Sequence, residues 1–228
     1  MYAEIKAKVN KETSSGTLLH VLIPNVSATD YLKKYTGSDT LIGELRIDDG
    51  RTIRADQRKK AWAILHDIED WNGDDAETNH WWLKREYRRK SGESKFSLSN
   101  CSVTTARHYI SFLLDFCLSW DVPLSESLLN RTDDINAALY ATLMNKKCIV
   151  CGHDGELHHV DVVGMGRSRL EICHIGMSVM CLCRKHHSEA HLSGKDTFNS
   201  RYHIYGINAN QEICDTWRLN TDRKTDGS

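Results

Sequence analysis

The sequence predicts an α+β fold. A helix-rich part with a small antiparallel sheet spans residues 1–145, a compact Cys/His-rich module follows over 146–212, and 213–228 form a C-terminal tail. Three observations predict this. Apolar and polar residues alternate in the first fifty positions; the period then lengthens to that of a helix; and ligand-type side chains crowd the last third. Five of the eight Cys fall between Cys148 and Cys183, and eight of the twelve His between His153 and His203.

The first elements are short strands, Tyr2 to Val9 and Leu41 to Ile47, with the apolar run Leu18 to Ile23 between them. After the turn Asp48-Asp49-Gly50, Ala61, Ile64, Leu65, Ile68 and Trp71 recur at spacings of three and four, and Asn72-Gly73 stops the helix they define. A second helix runs from about Asp75 to Lys90. A third starts after Ser102 as N-cap, carries Ala106, Tyr109, Ile110, Leu113, Leu114 and Cys117, and ends at Trp120-Asp121-Val122-Pro123. Asp133-Asp134 opens a fourth with Ile135, Leu139, Leu143 and Met144. Leu124 to Thr132 reads as a joint, and Leu157 to Val163 as a strand.

Charge narrows the function. Lys+Arg 30 against Asp+Glu 31 excludes binding of nucleic acid by bulk positive charge, so any polyanion has to be met locally. Nowhere do about 18 apolar residues run together, and Met1-Tyr2-Ala3-Glu4-Ile5-Lys6 has no apolar signal core. The expectation is a soluble, cytoplasmic chain without a membrane partner, whose Cys are thiols or metal ligands rather than disulfides.

Cys148-Ile149-Val150-Cys151 puts two thiols on one tight turn, with Gly152 to free the backbone. Cys183-Arg184-Lys185-His186 repeats the two-residue spacing, so Cys148, Cys151, Cys183 and His186 predict one tetrahedral, structural Zn2+. Cys181 competes with Cys183, and Cys173 and Cys214 remain candidates. Cys101 and Cys117, on or beside the third helix, read as small hydrophobes. Such a closed site would draw together what lies just inside its ends: His158-His159 on a strand, and His187 and His191 at i, i+4 on one helical face. That spacing suits a second ion.

Taken together, Cys-x-x-Cys, His158-His159, Leu182-Cys183-Arg184-Lys185-His186-His187 and His191 resemble an HNH endonuclease with its ββα-metal module. Val163-Gly164-Met165-Gly166-Arg167 and His174-Ile175-Gly176 are similar to phage-encoded members. The resemblance implies a catalytic divalent metal held by His158 and His187, with His191 as third ligand or phosphate contact, and His159 as general base. Charge neutralisation at the phosphate also needs cations, for which Arg167, Arg169 and Lys185 stand nearest, with Arg167 alone singled out for a catalytic role. Imidazole ligands favour Mn2+, Ni2+ or Zn2+ over Mg2+ by softness, and all four stay open. His186 stands where the family more often has Cys, which leaves the roles of His186 and His187 exchangeable. The Asn that often opens the metal helix is absent.

Upstream, Lys84-Arg85-Glu86-Tyr87-Arg88-Arg89-Lys90 beside Trp81 and Trp82 suits single-stranded DNA, with cations on phosphates and rings on bases. An amphipathic helix yields the same pattern with the Trp residues in the core. Trp71 and Trp120 are expected in the core. Arg54 to Lys60, Phe96 to Ala106 and Phe112 to Cys117 loosely resemble phage NinB/Orf-type recombination proteins. That likeness implies a homodimer that binds single-stranded or branched DNA and meets single-strand-binding protein. The expected activity is therefore endonucleolytic cleavage within a phage replication or recombination module. The alternative is a non-catalytic, zinc-containing single-strand-binding mediator.

Overall fold

The computed structural model describes residues 6–14, 16–22, 51–160 and 172–221. The chain forms two compact units, Met1–Asp49 with Tyr87–Lys95, and Gly50–Glu86 with Phe96–Ser228. In the first, β1 (Lys6–Thr13) and β2 (Gly16–Leu22) pair antiparallel, with an irregularity between Val9 and Lys11. Thr13 Oγ1 donates to the Gly16 carbonyl at 2.7 Å across the turn. The expected strand 41–47 lies outside the described residues.

The second unit is built on helices where the periodicity places them. Helix α1 (Ala55–Asn72) buries Ala61, Ile64, Leu65 and Ile68 and ends on Gly73, whose φ of 82° is the left-handed cap conformation. Helix α2 runs over Ala76–Ser91. In α3 (Val103–Ser119), the Ser102 side chain accepts the Thr105 N–H at 2.9 Å, satisfying one of the donors a helix start leaves open. Helix α3 packs on α1 and on α5 (Ile135–Met144), which Asp134 caps through the Ala137 N–H. Cys101 and Cys117 are buried in the apolar interior.

The segment read as a joint is instead fastened down. It holds a short helix, α4 (Leu128–Arg131), with Leu128 in the core. Buried Asp67 of α1 accepts from Ser125 N at 3.2 Å and Ser125 Oγ at 2.6 Å, and lies 3.3 Å from the Arg131 guanidinium. Period-based reading misses α4 because one turn has no period and polar side chains tie it in place.

The Cys/His module continues that core rather than starting a new one. Strands β3 (Glu156–His159), β4 (Ser178–Leu182) and β5 (Ile207–Asn208) form an antiparallel sheet in that order. Alternation along β4 sends Met180 and Leu182 into one cluster with Leu118, Leu139, Cys148 and Ile149, and Val179 and Cys181 into another with Leu143, Ile213 and Cys214. Helices α6 (Arg184–Ser193) and α7 (Lys195–Tyr202) follow β4. The expected tail from 213 is corrected: α8 (Gln211–Trp217) buries Ile213 and Cys214, and Trp217 Nε1 donates to the Leu143 carbonyl at 2.8 Å. The expected break at 145/146 likewise falls inside a shared core.

Candidate metal centres

Lys147 to Asp154 closes a tight hairpin. The Cys148 N–H donates to the His153 carbonyl at 2.7 Å and the Gly152 N–H returns to the Cys148 carbonyl at 2.8 Å. Gly152 turns at φ 74°, a conformation L side chains resist. The Lys147 ammonium bridges Asp121 and Asp154 at the hairpin's foot, and those carboxylates hold its pKa above the usual lysine value.

That hairpin presents Cys148 and Cys151 to the start of α6. The ligand atoms of Cys148, Cys151, Cys183 and His186 all lie within 4.8 Å of one another. Cys148 Sγ is 3.4 Å and Cys183 Sγ 3.2 Å from His186 Nδ1, and Cys151 Sγ is 3.6 Å from Cys183 Sγ. Tetrahedral ligands at zinc bond lengths stand roughly 3.5 to 3.8 Å apart, so the donor set and its spacing fit one Zn2+. Burial pushes the Cys148 thiol up to about 12 and raises Cys151 as well. At Cys183 burial also opposes the thiolate, but the backbone at His186 and Lys185 and the neighbouring thiols together bring the pKa below its ordinary value. A cation between them would favour thiolates throughout.

Cys181 stays outside this group. It lies on the opposite face of β4, buried, and a Cβ on Gly155 would come within 2.6 Å of its Sγ. Cys214 lies with it, while Cys173 Sγ points to the Thr221 carbonyl at 3.2 Å.

The helix separates the two adjacent imidazoles. One residue along α6 is a turn of about 100°, so His186 faces the hairpin, against the Tyr202 ring at 5.7 Å, while His187 faces β3. Glu189, one turn beyond His186, accepts from Tyr202 Oη at 3.0 Å and pairs with Arg201, which holds α6 to α7.

On the β3 side, His158, His187 and His191 form a second group whose ligand atoms lie within 4.8 Å of one another. His187 Nε2 and His191 Nε2 are 3.1 Å apart, the separation two ligands of one cation adopt. The ring of buried His158 lies 4.8 Å from that of His187 and 5.2 Å from that of His191, centroid to centroid. His187 Nδ1 is 2.5 Å from Glu156 Oε1, and that bond holds the Glu156 carboxyl below its ordinary pKa. Glu156 is missing from the sequence expectations, although its i, i+2 relation to His158 on a strand was a usable signal. The group offers three ligand atoms and an exposed edge at His191, so an ion there would keep coordination positions open, unlike one in the four-residue set.

His159 is not among them. Adjacent strand residues face opposite sides, and the His159 ring meets His174, Nε2 to Nδ1 at 2.9 Å. No spacing in the sequence links these two residues. Arg167 and Arg169 lie outside the described residues, and Lys185 is exposed on the first turn of α6. Trp81 and Trp82 of α2 are 65% and 47% exposed, and the Arg85 guanidinium lies 5.9 Å from the Trp81 ring. Arg88 donates to the Ser94 carbonyl at 3.2 Å, and Arg89 is exposed. The expectation of core positions for Trp71 and Trp120 is corrected: they are 42% and 61% exposed, beside Phe116 at 6.5 and 6.1 Å. Each stands at a helix end, where the apolar stripe has turned out of the interior.

A Cys/His set that could close around one ion, beside an imidazole group that could hold another, stands on two antiparallel strands followed by a helix, an arrangement of ββα type. A family model described as "Putative HNHc nuclease" matches residues 27–220, and the chain belongs to that family. No curated protein and no solved structure matches the chain. The match begins well before Cys148, so the helices upstream belong to what the family shares.

Proposed function

We propose that this chain is a metal-dependent DNA endonuclease. The observation that carries this reading is the convergence of His158, His187 and His191 on one point, beside a separate Cys148/Cys151/Cys183/His186 set that suffices for a structural zinc. Three further imidazoles are not needed to hold the fold.

A divalent cation bound by the three imidazoles would supply charge neutralisation at the scissile phosphate and its departing oxygen. The chain's residues do the rest. His158 and His187 bring ligands from strand and helix, and Glu156 holds the His187 ring through Nδ1. The resemblance assigns the attacking water's proton to His159, taken as the new P–O bond forms, although its ring lies across β3 from the three imidazoles and against His174. The bond to the 3′ oxygen breaks, that oxygen takes a proton from solvent water, and 5′-phosphate and 3′-hydroxyl ends result. General-base assistance is worth roughly 10²- to 10⁴-fold, so neutralisation carries the larger share. Lys185, Arg167 and Arg169 are proposed to hold the phosphate backbone. The setting we propose is a phage replication or recombination module in the cytoplasm, supported by the resemblance of the upstream segments.

The test incubates the protein with plasmid, single-stranded and branched DNA across Mg2+, Mn2+ and Ni2+, with His158→Ala and His187→Ala alongside. Cleavage with at least one ion, lost in both variants while zinc content is kept, is expected. Intact DNA under every ion overturns the reading. A second reading, a non-catalytic single-strand-binding module, is favoured by the exposed Trp81 and Trp82 with Arg85 over Trp81. Tight single-strand binding without cleavage would be its signature.

A further inference from the structure

Three indoles of the second unit stand in solvent around one phenyl ring. Trp71 near the end of α1, Trp82 on α2 and Trp120 just beyond α3 are 42%, 47% and 61% exposed. Their rings lie 6.5, 5.7 and 6.1 Å from that of half-buried Phe116 on α3, centroid to centroid, the first two edge-on. A lone exposed apolar side chain needs no explanation, but three around one centre do. Together they leave roughly 300 to 400 Å2 of ring surface in water, the size at which apolar patches mark interaction sites.

The rim of this patch is acidic. From Ile68 to Leu83 the chain carries Glu69, Asp70, Asp74, Asp75 and Glu77 and no Lys or Arg. Glu69 is engaged by His66 at 2.8 Å, and Asp75 accepts from the Thr78 N–H and hydroxyl at the start of α2. Asp70, Asp74 and Glu77 are exposed, as is Asp115, the residue before Phe116. The next cations along α2 are turned to other rings: Lys84 lies 5.1 Å from Phe96 and Arg85 5.9 Å from Trp81. A phosphate backbone would therefore meet like charge on this face. Guanidinium or ammonium groups would find carboxylates at the rim and indole faces beside them.

We infer that this face docks a short, Lys/Arg-bearing segment of a partner protein. The segment's cations meet the rim carboxylates and the indole faces, and its apolar side chains lie across Trp71, Phe116 and Trp120. Two folded proteins in a stable complex each bury about 800 Å2, roughly twice what the patch offers, so a single segment fits it and a second copy of this chain does not. Trp on one side and Arg on the other are the side chains that carry most of the energy in such contacts. The inference stands apart from the metal centres and from the cleavage reaction.

The probe is a short fluorescein-labelled peptide of Arg, Leu and Ala, with counterparts carrying Gln or Glu in place of every Arg, and a labelled oligo(dT) beside them. Binding is followed by fluorescence anisotropy at low and at physiological salt. The full-length wild type is compared with Trp71→Ala/Trp120→Ala and with Asp70→Asn/Asp74→Asn/Glu77→Gln, and melting temperatures are recorded. The Arg peptide is expected to bind more tightly than the Gln peptide, and the Glu peptide not at all. The Trp pair should weaken Arg-peptide binding roughly 10- to 100-fold, the carboxamide variant about 10-fold at low salt and less at physiological salt. Equal binding of the Arg peptide by wild type and both variants overturns the inference, as does a Gln or Glu peptide that binds as tightly. Loss of oligo(dT) binding in the Trp pair would make this a nucleic-acid surface, and a wild-type dimer that the Trp pair dissociates in sedimentation would make it a contact between copies; either refutes the proposal. Should the Trp pair fail to fold, the carboxamide variant decides alone: undiminished Arg-peptide binding at low salt refutes it.

Discussion

Glu156 shows how much of the open site is set by a side chain that would touch no substrate. Its carboxylate holds His187 Nδ1, which leaves Nε2 turned toward His191. Partners of this kind typically contribute 10- to 100-fold to metal affinity by orienting the ring and raising its basicity. Glu156→Gln is therefore expected to weaken Mn2+ or Ni2+ binding by about that factor in calorimetry, while zinc content stays at the wild-type value. An equal loss of zinc would mean that Glu156 supports the fold rather than the ring. Glu156 carries its depressed pKa from the same bond, so this contact is complete above the ordinary carboxylate range and is lost as pH falls through the lowered value.

Among the elements, polar ties decide which helices stay together. Asp67 and Arg131 form a buried pair between α1 and α4, with Ser125 hydrogen-bonded to both. Removing one member leaves the other charge buried and unpaired, which costs about 3–5 kcal/mol. Asp67→Ala should lower the urea midpoint accordingly with an unchanged m-value; a loss under 1 kcal/mol would show that water reaches Arg131. A second tie joins α2 to α3, where His80 Nδ1 is 3.0 Å from the Tyr109 hydroxyl. Burial, with help from Lys84, lowers the His80 pKa to about 4. The sign follows from linkage: His80 is neutral in the folded chain and charges more readily when unfolded, so its contribution is full above pH 6.5 and is lost as pH falls toward 4. After discounting for partial exposure the loss is roughly 2 kcal/mol. In His80→Phe the slope of stability against pH over that window should flatten, as followed by chemical denaturation.

At the scale of the whole molecule, the zinc-type site and the helical core stabilise each other. Cys148 and Ile149 are buried in the same cluster as Leu118, Leu128 and Leu139, so opening the hairpin exposes apolar surface from both halves of the second unit. Binding of a structural zinc is worth on the order of 10 kcal/mol in isolated modules. Cys148→Ser, or prolonged treatment with a strong chelator, should lower the melting temperature and abolish cleavage, and adding Mg2+ back after chelation should restore neither. Brief chelation that removes only the cation of the imidazole face should be reversed by Mn2+ with no change in melting temperature. A single shared transition for helices and module, seen by circular dichroism and by tryptophan fluorescence, is expected of a common core.

Helix positions, the Ser102 and Asp134 caps, the Gly73 stop and the two groups of ligand-type side chains that meet in space were legible in the sequence, because each rests on spacing along one element or on a residue type with few other uses. Period 3.6 marks a buried stripe, and paired two-residue spacings mark a tetrahedral grip. Which of Cys181 and Cys183 joins that grip, which way His186 and His187 face, the fastening of Leu124 to Thr132 by Asp67, the burial of α8 and the meeting of His159 with His174 were decided by the tertiary structure alone. Those outcomes depend on how β4 turns its two faces to two clusters and on contacts between residues 15 to 74 positions apart, and nothing local encodes such contacts.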